Sequence, residues 1–289
     1  MYSVITSDGR TLAVEQWGSP EGTPILYLHG TPMSRLARYP DDRLFTDLGV
    51  RLLTYDRPGY GHSTAQPGRR VAAAAADVVA IADEFGLDNL PLIGVSGGGP
   101  HALAAAALYP DRISRVGVLA SPAPRDADGL DWAEGMMAAN VVEAEAAVRG
   151  ADAVVELLRD SSPAELPELP ANEQAILDRP EVKRMLTVAY AEAVRPGLAG
   201  AADDTVALFA LPWGFDPAAI TVPVRIWHGE QDSVTPAGHA RWLAAHIPTA
   251  ELTIQPDIGH VGHFDAQPAM LSWLASRPAT SPFAPSAGG

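Results

Sequence analysis

The run GVSGGG at residues 94–99 is the stretch of this sequence that says most about its fold. It follows the apolar run 90–95 and opens an Ala-rich segment with the periodicity of a helix. A G-x-S-x-G run between a strand and a helix predicts a tight turn that exposes the serine. Gly94 and Gly98 lack the Cβ atoms that would clash in such a turn, while the backbone strain falls on Ser96. We therefore interpret Ser96 as a candidate nucleophile. The alternatives are a glycine-rich turn with an idle serine, or a phosphate-binding turn.

Short apolar runs on either side of this turn predict the strands of one parallel sheet. They are rich in Val, Ile and Leu, which is typical of strands covered on both faces. The runs are residues 12–17, 25–28, 50–54, 90–95, 113–119, 222–227 and 250–254. They alternate with helical patterns over residues 71–85, 98–108, 237–246 and 268–273. Such alternation predicts right-handed crossovers, with helices on both sides of the sheet.

The pattern changes between residues 122 and 215, where we find helical periodicity and no convincing strand. We predict an α/β core built from residues 1–121 and 216–275, with 122–215 as a helical insert in that core. Residues 276–289 are rich in Pro, Ser, Ala and Gly, and we expect this tail to be disordered. The main helical segments of the insert are 133–158 and 173–194.

A serine nucleophile needs a base, and the base needs an acid that orients it. For this type of turn the acid precedes the base in the chain, and both follow the serine. Asp232 and His260 each come just after a predicted strand, where open α/β sheets place their sites. We predict Asp232 as the acid and His260 as the base. The alternatives are Glu230 or Asp257 as the acid, and His263 as the base.

The oxyanion of an acyl-transfer reaction needs two N–H donors. The Gly97 N–H, at the start of the helix after the serine, is the first candidate. The second lies in the run HGTP at residues 29–32, after an early buried strand. Because Pro32 has no N–H, we predict the backbone of Thr31 as the donor. The alternative is an ordinary turn at the end of a strand.

Composition restricts the function further. The chain has 35 acidic residues against 20 Lys and Arg, a formal net charge of −15, and no cysteine. The negative charge makes nucleic acid and anionic membranes poor partners, while the absence of cysteine excludes disulfides, thiolate metal sites and a Cys nucleophile. Residues 1–10 lack a signal-peptide pattern, so we expect a cytoplasmic protein. Heavy use of Ala, Gly, Pro and Arg indicates a GC-rich bacterial genome.

The chain resembles the α/β-hydrolase superfamily over about residues 12–274. Four features carry the resemblance: LHGTP at 28–32, YDRPGYGHS at 55–63, GVSGG at 94–98, and the Asp232/His260 pair. The resemblance implies a mostly parallel eight-stranded sheet flanked by helices, with an inserted helical cap. It also implies that Asp56 and Arg57 brace neighbouring loops; the alternative is a direct role in substrate binding.

This resemblance implies a serine hydrolase that cleaves a small ester or amide through an acyl-enzyme, without metal or organic cofactor. Dehalogenases and epoxide hydrolases of the superfamily carry aspartate where this chain has Ser96, so both activities are disfavoured. Gly97 stands where proline iminopeptidases typically have Trp, which weakens that assignment. The same triad could serve a peptidase, a C–C bond hydrolase, a cofactor-free haloperoxidase or perhydrolase, or an acyltransferase. A non-catalytic small-molecule receptor is the alternative outside enzymes.

The expected partner is a small uncharged or hydrophobic molecule, and the oligomeric state stays open. Apolar residues of the insert could line an acyl pocket or simply form the core of the insert. They are Met136, Met137, Val141, Leu208, Phe209, Trp213 and Phe215.

Overall fold

The computed structural model of the chain describes residues 1–160 and 170–276. Within these ranges eight strands form one sheet. They are β1 (Tyr2–Ile5), β2 (Thr11–Gly18), β3 (Thr23–Leu28), β4 (Val50–Tyr55), β5 (Leu90–Val95), β6 (Ile113–Leu119), β7 (Val224–Gly229) and β8 (Ala250–Gln255).

The strand order is β1-β2-β4-β3-β5-β6-β7-β8. The β1/β2 and β2/β4 pairs are antiparallel, and all other neighbours are parallel. The expectation of a mostly parallel eight-stranded sheet flanked by helices is therefore confirmed. Strand β1 escaped the sequence analysis because it is an edge strand in which Val4 alone is buried.

The described residues form ten α-helices: α1 (Arg43–Asp47), α2 (Ala74–Glu84), α3 (Gly98–Leu108), α4 (Ala138–Arg149), α5 (Ala151–Asp160), α6 (Ala171–Leu177), α7 (Pro180–Ala193), α8 (Ala199–Phe209), α9 (Ala237–His246) and α10 (His263–Ala275). Helices α2, α3 and α9 cover one face of the sheet, and α1 and α10 cover the other. Successive side chains of β3 point to opposite faces of the sheet, and both faces are buried. This is why the strand appears in the sequence as a continuous apolar run. Leu26 and Leu28 pack with α2, α3 and α9, whereas Ile25 and Tyr27 pack with α1 and α10.

Helices α4 to α8 lie between β6 and β7 in the chain, and we call them the α4–α8 insert. Helices α4, α5 and α8 pack on one another. Helices α6 and α7 instead pack on the core, through Ile176 and Met185 among others. These helices lie within the helical block 122–215 expected from the sequence. The domain boundaries at residues 122 and 215 stay a prediction.

Some helix limits differ from those expected. The segment 133–158 is two helices, because Gly150 ends α4 with a φ of +110°. Helix α8 was not predicted, since its Gly and paired Asp residues weaken the helical pattern. Helix α10 begins at His263, five residues before the expected start, and contains Pro268 in its interior. Proline favours the first turn of a helix, which is why the sequence suggested a later start.

The tail expected from residue 276 onward lies outside the described residues, apart from Ser276. The Ser276 hydroxyl accepts a hydrogen bond from Arg115 and donates one to the Trp273 carbonyl oxygen. In the ranges that the structure covers, no helix is long and apolar enough to cross a bilayer.

Helix α3 approaches the end of β3 so closely that Gly98 has no room for a side chain. A Cβ there would collide with the Leu28 carbonyl oxygen and lie 2.7 Å from that of His29. We expect Gly98→Ala to lower the free energy of unfolding by about 1–3 kcal/mol, measured by urea denaturation. Gly238→Ala is the matched control, because its Cβ would meet Leu130 at an ordinary 3.5 Å. Equal urea midpoints for the two variants would contradict this packing argument.

Candidate active site

Four loops bring the predicted site residues to one edge of the sheet. Strands β3, β5, β7 and β8 are parallel, so their carboxyl ends share this edge. Thr31 follows β3, Ser96 follows β5, Asp232 follows β7 and His260 follows β8. The order of the strands alone thus places residues from distant parts of the chain around one position.

Ser96 occupies a strained turn between β5 and α3. Its φ of +53° lies in the left-handed region, which is unusual for a residue other than glycine. The Ser96 N–H donates to the Leu119 carbonyl oxygen at 2.8 Å, and the Ser96 carbonyl accepts from the Gly99 N–H at 3.0 Å. A Cβ at Gly94 would lie 2.5 Å from the Gly98 carbonyl oxygen. The glycines therefore permit the close approach that forces Ser96 into this conformation.

Asp232 and His260 form a hydrogen bond of 2.8 Å between Oδ2 and Nδ1. Asp232 is held from several sides, since its Oδ1 accepts from the N–H groups of Val234 and Thr235, both at 2.8 Å. Its Oδ2 lies 3.1 Å from Nε2 of His228. Burial alone would raise the pKa of Asp232, but the two histidines lower it well below its usual range. The carboxylate is therefore charged and faces the imidazole in a fixed orientation.

The environment of His260 favours its protonated form. Burial lowers the pKa of His260, but the charge and hydrogen bond of Asp232 raise it more, and Glu173 adds to this effect. The net pKa is above the usual 6.5. Glu173, on α6, also accepts a hydrogen bond of 2.9 Å from the Val261 N–H. The loop that carries His260 is thus anchored by a carboxylate of the α4–α8 insert.

Ser96 and His260 border one cavity of about 160 Å³. Within the described chain, the Ser96 hydroxyl and the His260 imidazole are not in hydrogen-bond contact. Such contacts are often long in unliganded enzymes and shorten when substrate binds. Most of the cavity wall is apolar, and includes Met33, Val95, Leu177, Met185, Leu186 and Phe264. The insert contributes Leu177, Met185 and Leu186, none of which belongs to the apolar set named from the sequence.

The alternative acids and base have other partners. Glu230 is exposed and pairs with Arg241 at 2.6 Å. Asp257 is exposed in a turn, with a φ of +60°. His263 borders the cavity, but its Nδ1 lies 3.1 Å from Gln267 Nε2, and its ring centroid is 6.0 Å from that of His260. The structure thus places Asp232 against His260.

The loop after β3 lies directly over the serine. A Cβ at Gly30 would be 3.9 Å from Ser96 Oγ. The N–H groups of Thr31 and Gly97 donate to no acceptor in the described part of the chain. Two free donors beside the serine are what an oxyanion site requires.

Three polar residues near the site were missed by the sequence analysis: Glu173, Asp204 and Thr235. The Thr235 hydroxyl lies 3.1 Å from Asp232 Oδ2 and 3.4 Å from His260 Nδ1. The sequence contained one indication of Asp204, which is an aspartate among the apolar residues of α8. If α8 packs on the core through these residues, Asp204 is buried and needs a charged partner. Among residues 1–160 and 170–276, no group of three or more His, Cys, Asp or Glu side chains is arranged to hold a metal ion.

The chain is similar to a known protein family and to several known proteins. A family model described as the alpha/beta hydrolase fold matches residues 23–267. The AB hydrolase superfamily protein YisY of Bacillus subtilis is 27% identical over 277 residues, which cover 95% of this chain and 97% of that protein. A non-heme chloroperoxidase of Streptomyces lividans is 35% identical over 127 residues. That match covers 43% of this chain and 45% of the chloroperoxidase, so less than half of either protein is compared.

A solved structure supports the same fold. The esterase EaEST from Exiguobacterium antarcticum superposes with a TM-score of 0.73 at 23% identity, covering 95% of this chain and 99% of the esterase. At this identity the likeness concerns the fold alone. Since the family model spans most of the sequence, the chain belongs to the α/β-hydrolase fold family.

Proposed function

We propose that this protein is a serine hydrolase that cleaves small, uncharged esters. The observation that carries the proposal is the Asp232–His260 hydrogen bond, which borders the same cavity as Ser96 in its strained turn. Ser96 Oγ attacks the ester carbonyl while His260 Nε2 takes its proton, and Asp232 stabilises the imidazolium. The alcohol leaves with a proton from His260. A water molecule, activated by His260, then releases the acid and restores Ser96.

The N–H groups of Thr31 and Gly97 bind the oxyanion in both steps. Their free donors favour this role, because an oxyanion hole must be formed before charge develops. The α4–α8 insert acts as a cap over the site, and Leu177 and Leu186 from it close one side of the cavity.

The size and lining of the cavity favour a short acyl group. A volume of about 160 Å³ is below the range of pockets that hold drug-sized ligands. The apolar wall disfavours a charged acyl group, because burying an unpaired charge is costly. An uncharged ester with a short acyl chain therefore fits best.

A second candidate, perhydrolysis or halide peroxidation, is favoured by the similarity to the chloroperoxidase of Streptomyces lividans. In perhydrolysis, hydrogen peroxide replaces water in the second step, and the acyl-enzyme yields a peracid and free Ser96. Both reactions need the same acylation chemistry. They differ in the molecule that reaches the acyl-enzyme.

Ser96→Ala is expected to reduce kcat on p-nitrophenyl acetate or butanoate by about 10⁶-fold, as loss of a triad nucleophile does. It should also abolish labelling by a fluorophosphonate probe, read by intact-mass spectrometry. Ser272→Ala is the control, since Ser272 is an exposed serine on α10.

Wild type that folds and binds ester without turnover or labelling would favour a receptor. Peracid formation from acetate and peroxide that exceeds ester hydrolysis would favour the second candidate.

The pH dependence of kcat/KM should report the pKa of His260, which depends on Asp232. Because only neutral His260 can accept the Ser96 proton, kcat/KM falls as pH falls through the pKa of His260. That pKa is raised, so the midpoint of the acid limb should lie above 6.5. Asp232→Asn removes the charge that opposes burial, so the midpoint should move to lower pH, with kcat reduced about 10⁴-fold.

Glu230→Gln is the matched control for this profile. It removes the exposed alternative acid, and we expect the midpoint to stay in place. An acid limb that moves with Glu230→Gln and not with Asp232→Asn would reverse the assignment of the acid.

A further inference from the structure

Asp204, on α8, is a fully buried carboxylate outside the proposed triad. Its Oδ2 accepts hydrogen bonds from Thr31 Oγ1 at 2.5 Å and Arg57 Nη2 at 2.6 Å. Its Oδ1 accepts from Arg69 Nη2 at 2.7 Å and lies 3.1 Å from His101 Nε2. Burial would raise the pKa of Asp204, but Arg57 and Arg69 hold it well below its usual range. A charged carboxylate of the insert therefore joins three segments of the core.

Arg57 connects Asp204 to the loop after β3 by hydrogen bonds. It donates to the carbonyl oxygen of His29, to that of Gly30 at 3.3 Å and to Thr31 Oγ1 at 2.9 Å. The Thr31 hydroxyl therefore lies between a donor, Arg57, and an acceptor, Asp204. Because both bonds have a direction, the rotamer of Thr31 and the backbone that carries it are restricted.

The Thr31 hydroxyl also contacts the second half of the oxyanion site. A Cβ at Gly97 would collide with Thr31 Oγ1, so the hydroxyl lies directly against the Gly97 backbone. The position of this hydroxyl therefore sets the separation of the Thr31 and Gly97 backbones.

We propose that Asp204 is a positioning residue for the oxyanion hole. Through Arg57 and the Thr31 hydroxyl, it fixes the Thr31 N–H relative to the Gly97 N–H. This role rests on the proposed hydrolase function.

Thr31→Val tests this role without removing the buried charges. Valine keeps the shape of threonine, and Asp204 keeps both arginines. We expect kcat to fall about 10- to 100-fold with KM little changed, because a donor displaced by a fraction of an ångström stabilises the oxyanion poorly. Thr31→Ser retains the hydroxyl and should restore most of the rate.

A substrate pair separates positioning from general loosening. The ratio of rates for a p-nitrophenyl ester and its thionoester depends on the oxyanion hole, because the sulfur anion is a poorer hydrogen-bond acceptor. Thr31→Val and Asp204→Asn should both lower this ratio. Asp77→Asn is the control, since Asp77 forms a buried pair with Arg10 at 2.7 Å on α2.

An unchanged ratio in folded Thr31→Val, with a normal wild-type rate, overturns the positioning role alone. A lowered ratio in Asp77→Asn as well would also overturn it. Absence of wild-type turnover and of Ser96 labelling overturns the proposed function, and the positioning role with it.

A separate observation concerns the cavity wall. Tyr27 borders the cavity and is 4% exposed, and its hydroxyl has no hydrogen-bond partner in the described part of the chain. His263 also borders the cavity, and its Nε2 has no partner among those residues either. Burial raises the pKa of the Tyr27 hydroxyl and lowers that of His263 to about 3. Both groups are therefore neutral, and the tyrosine keeps its proton for donation.

We infer that the acyl group of the substrate carries a neutral oxygen, as a ketone or hydroxyl, that accepts a hydrogen bond from Tyr27. The Tyr27 hydroxyl donates to no described protein group and Tyr27 borders the cavity, so a ligand atom that accepts from this hydroxyl gains affinity. An apolar wall with neutral polar groups fits a short oxygenated acyl chain better than a plain hydrocarbon. This inference also rests on the proposed function.

The test compares p-nitrophenyl 3-hydroxybutanoate and 4-oxopentanoate with butanoate and pentanoate. We expect wild type to favour at least one oxygenated ester by about ten-fold in kcat/KM, and Tyr27→Phe to bring that ratio close to one. Tyr55→Phe is the control, because the Tyr55 hydroxyl has no partner among the described residues either, but is fully buried on the opposite face of the sheet. Turnover of all four esters without preference, or a preference that survives Tyr27→Phe, overturns this inference and leaves the hydrolase function standing.

Discussion

The close approach of α3 to the ends of β3 and β5 is the constraint on which the site depends. Gly94 and Gly98 have no room for a Cβ, because backbone atoms of the neighbouring element occupy that space. With the helix held this near, the chain between β5 and α3 must turn within two residues, and Gly97 already has helical dihedral angles. Ser96 therefore takes a positive φ. The same turn leaves the Gly97 N–H without an acceptor in the described residues and places Ser96 at the cavity shared with His260.

Two buried aspartates, Asp232 and Asp204, hold the loops around this turn in place. Their carboxylate oxygens accept hydrogen bonds from different kinds of donor. Asp232 is surrounded by backbone N–H groups of its own loop and by the imidazoles of His228 and His260. Asp204 is paired with two permanently charged guanidinium groups. A buried carboxylate is costly unless all of its oxygens are paired, so each aspartate holds the loops that contact it in one arrangement. The difference fits the proposed roles. In the proposed mechanism, the carboxylate that responds to proton transfer is bonded to the His260 imidazole. The carboxylate that only holds position is bonded mainly to permanently charged guanidinium groups, with the His101 imidazole beside one oxygen.

The sequence predicted the frame of the sheet well, because its central strands are buried on both faces and read as continuous apolar runs. The run 90–95 coincides with β5, and the run 113–119 with β6. The candidate site was also predictable where the chemistry follows a strand, as with Asp232 and His260. Asp204 and Glu173 were not, because their positions follow from how the insert packs on the core. Helical periodicity shows which face of a helix is apolar, but not which loop a polar residue on that face will meet. The cavity lining was not predictable for the same reason, since Leu177 and Leu186 come from helices whose orientation cannot be read from the sequence.

The insert does more in this structure than cover a cavity. Glu173 on α6 accepts from the Val261 N–H beside His260, while Asp204 on α8 holds the loop that carries Thr31. Loops at the edge of a sheet have few strand hydrogen bonds to restrain them, so buried carboxylates from a second layer supply a large part of their order. If these loops stay formed through both steps of acyl transfer, α6 and α8 must stay on the core as well.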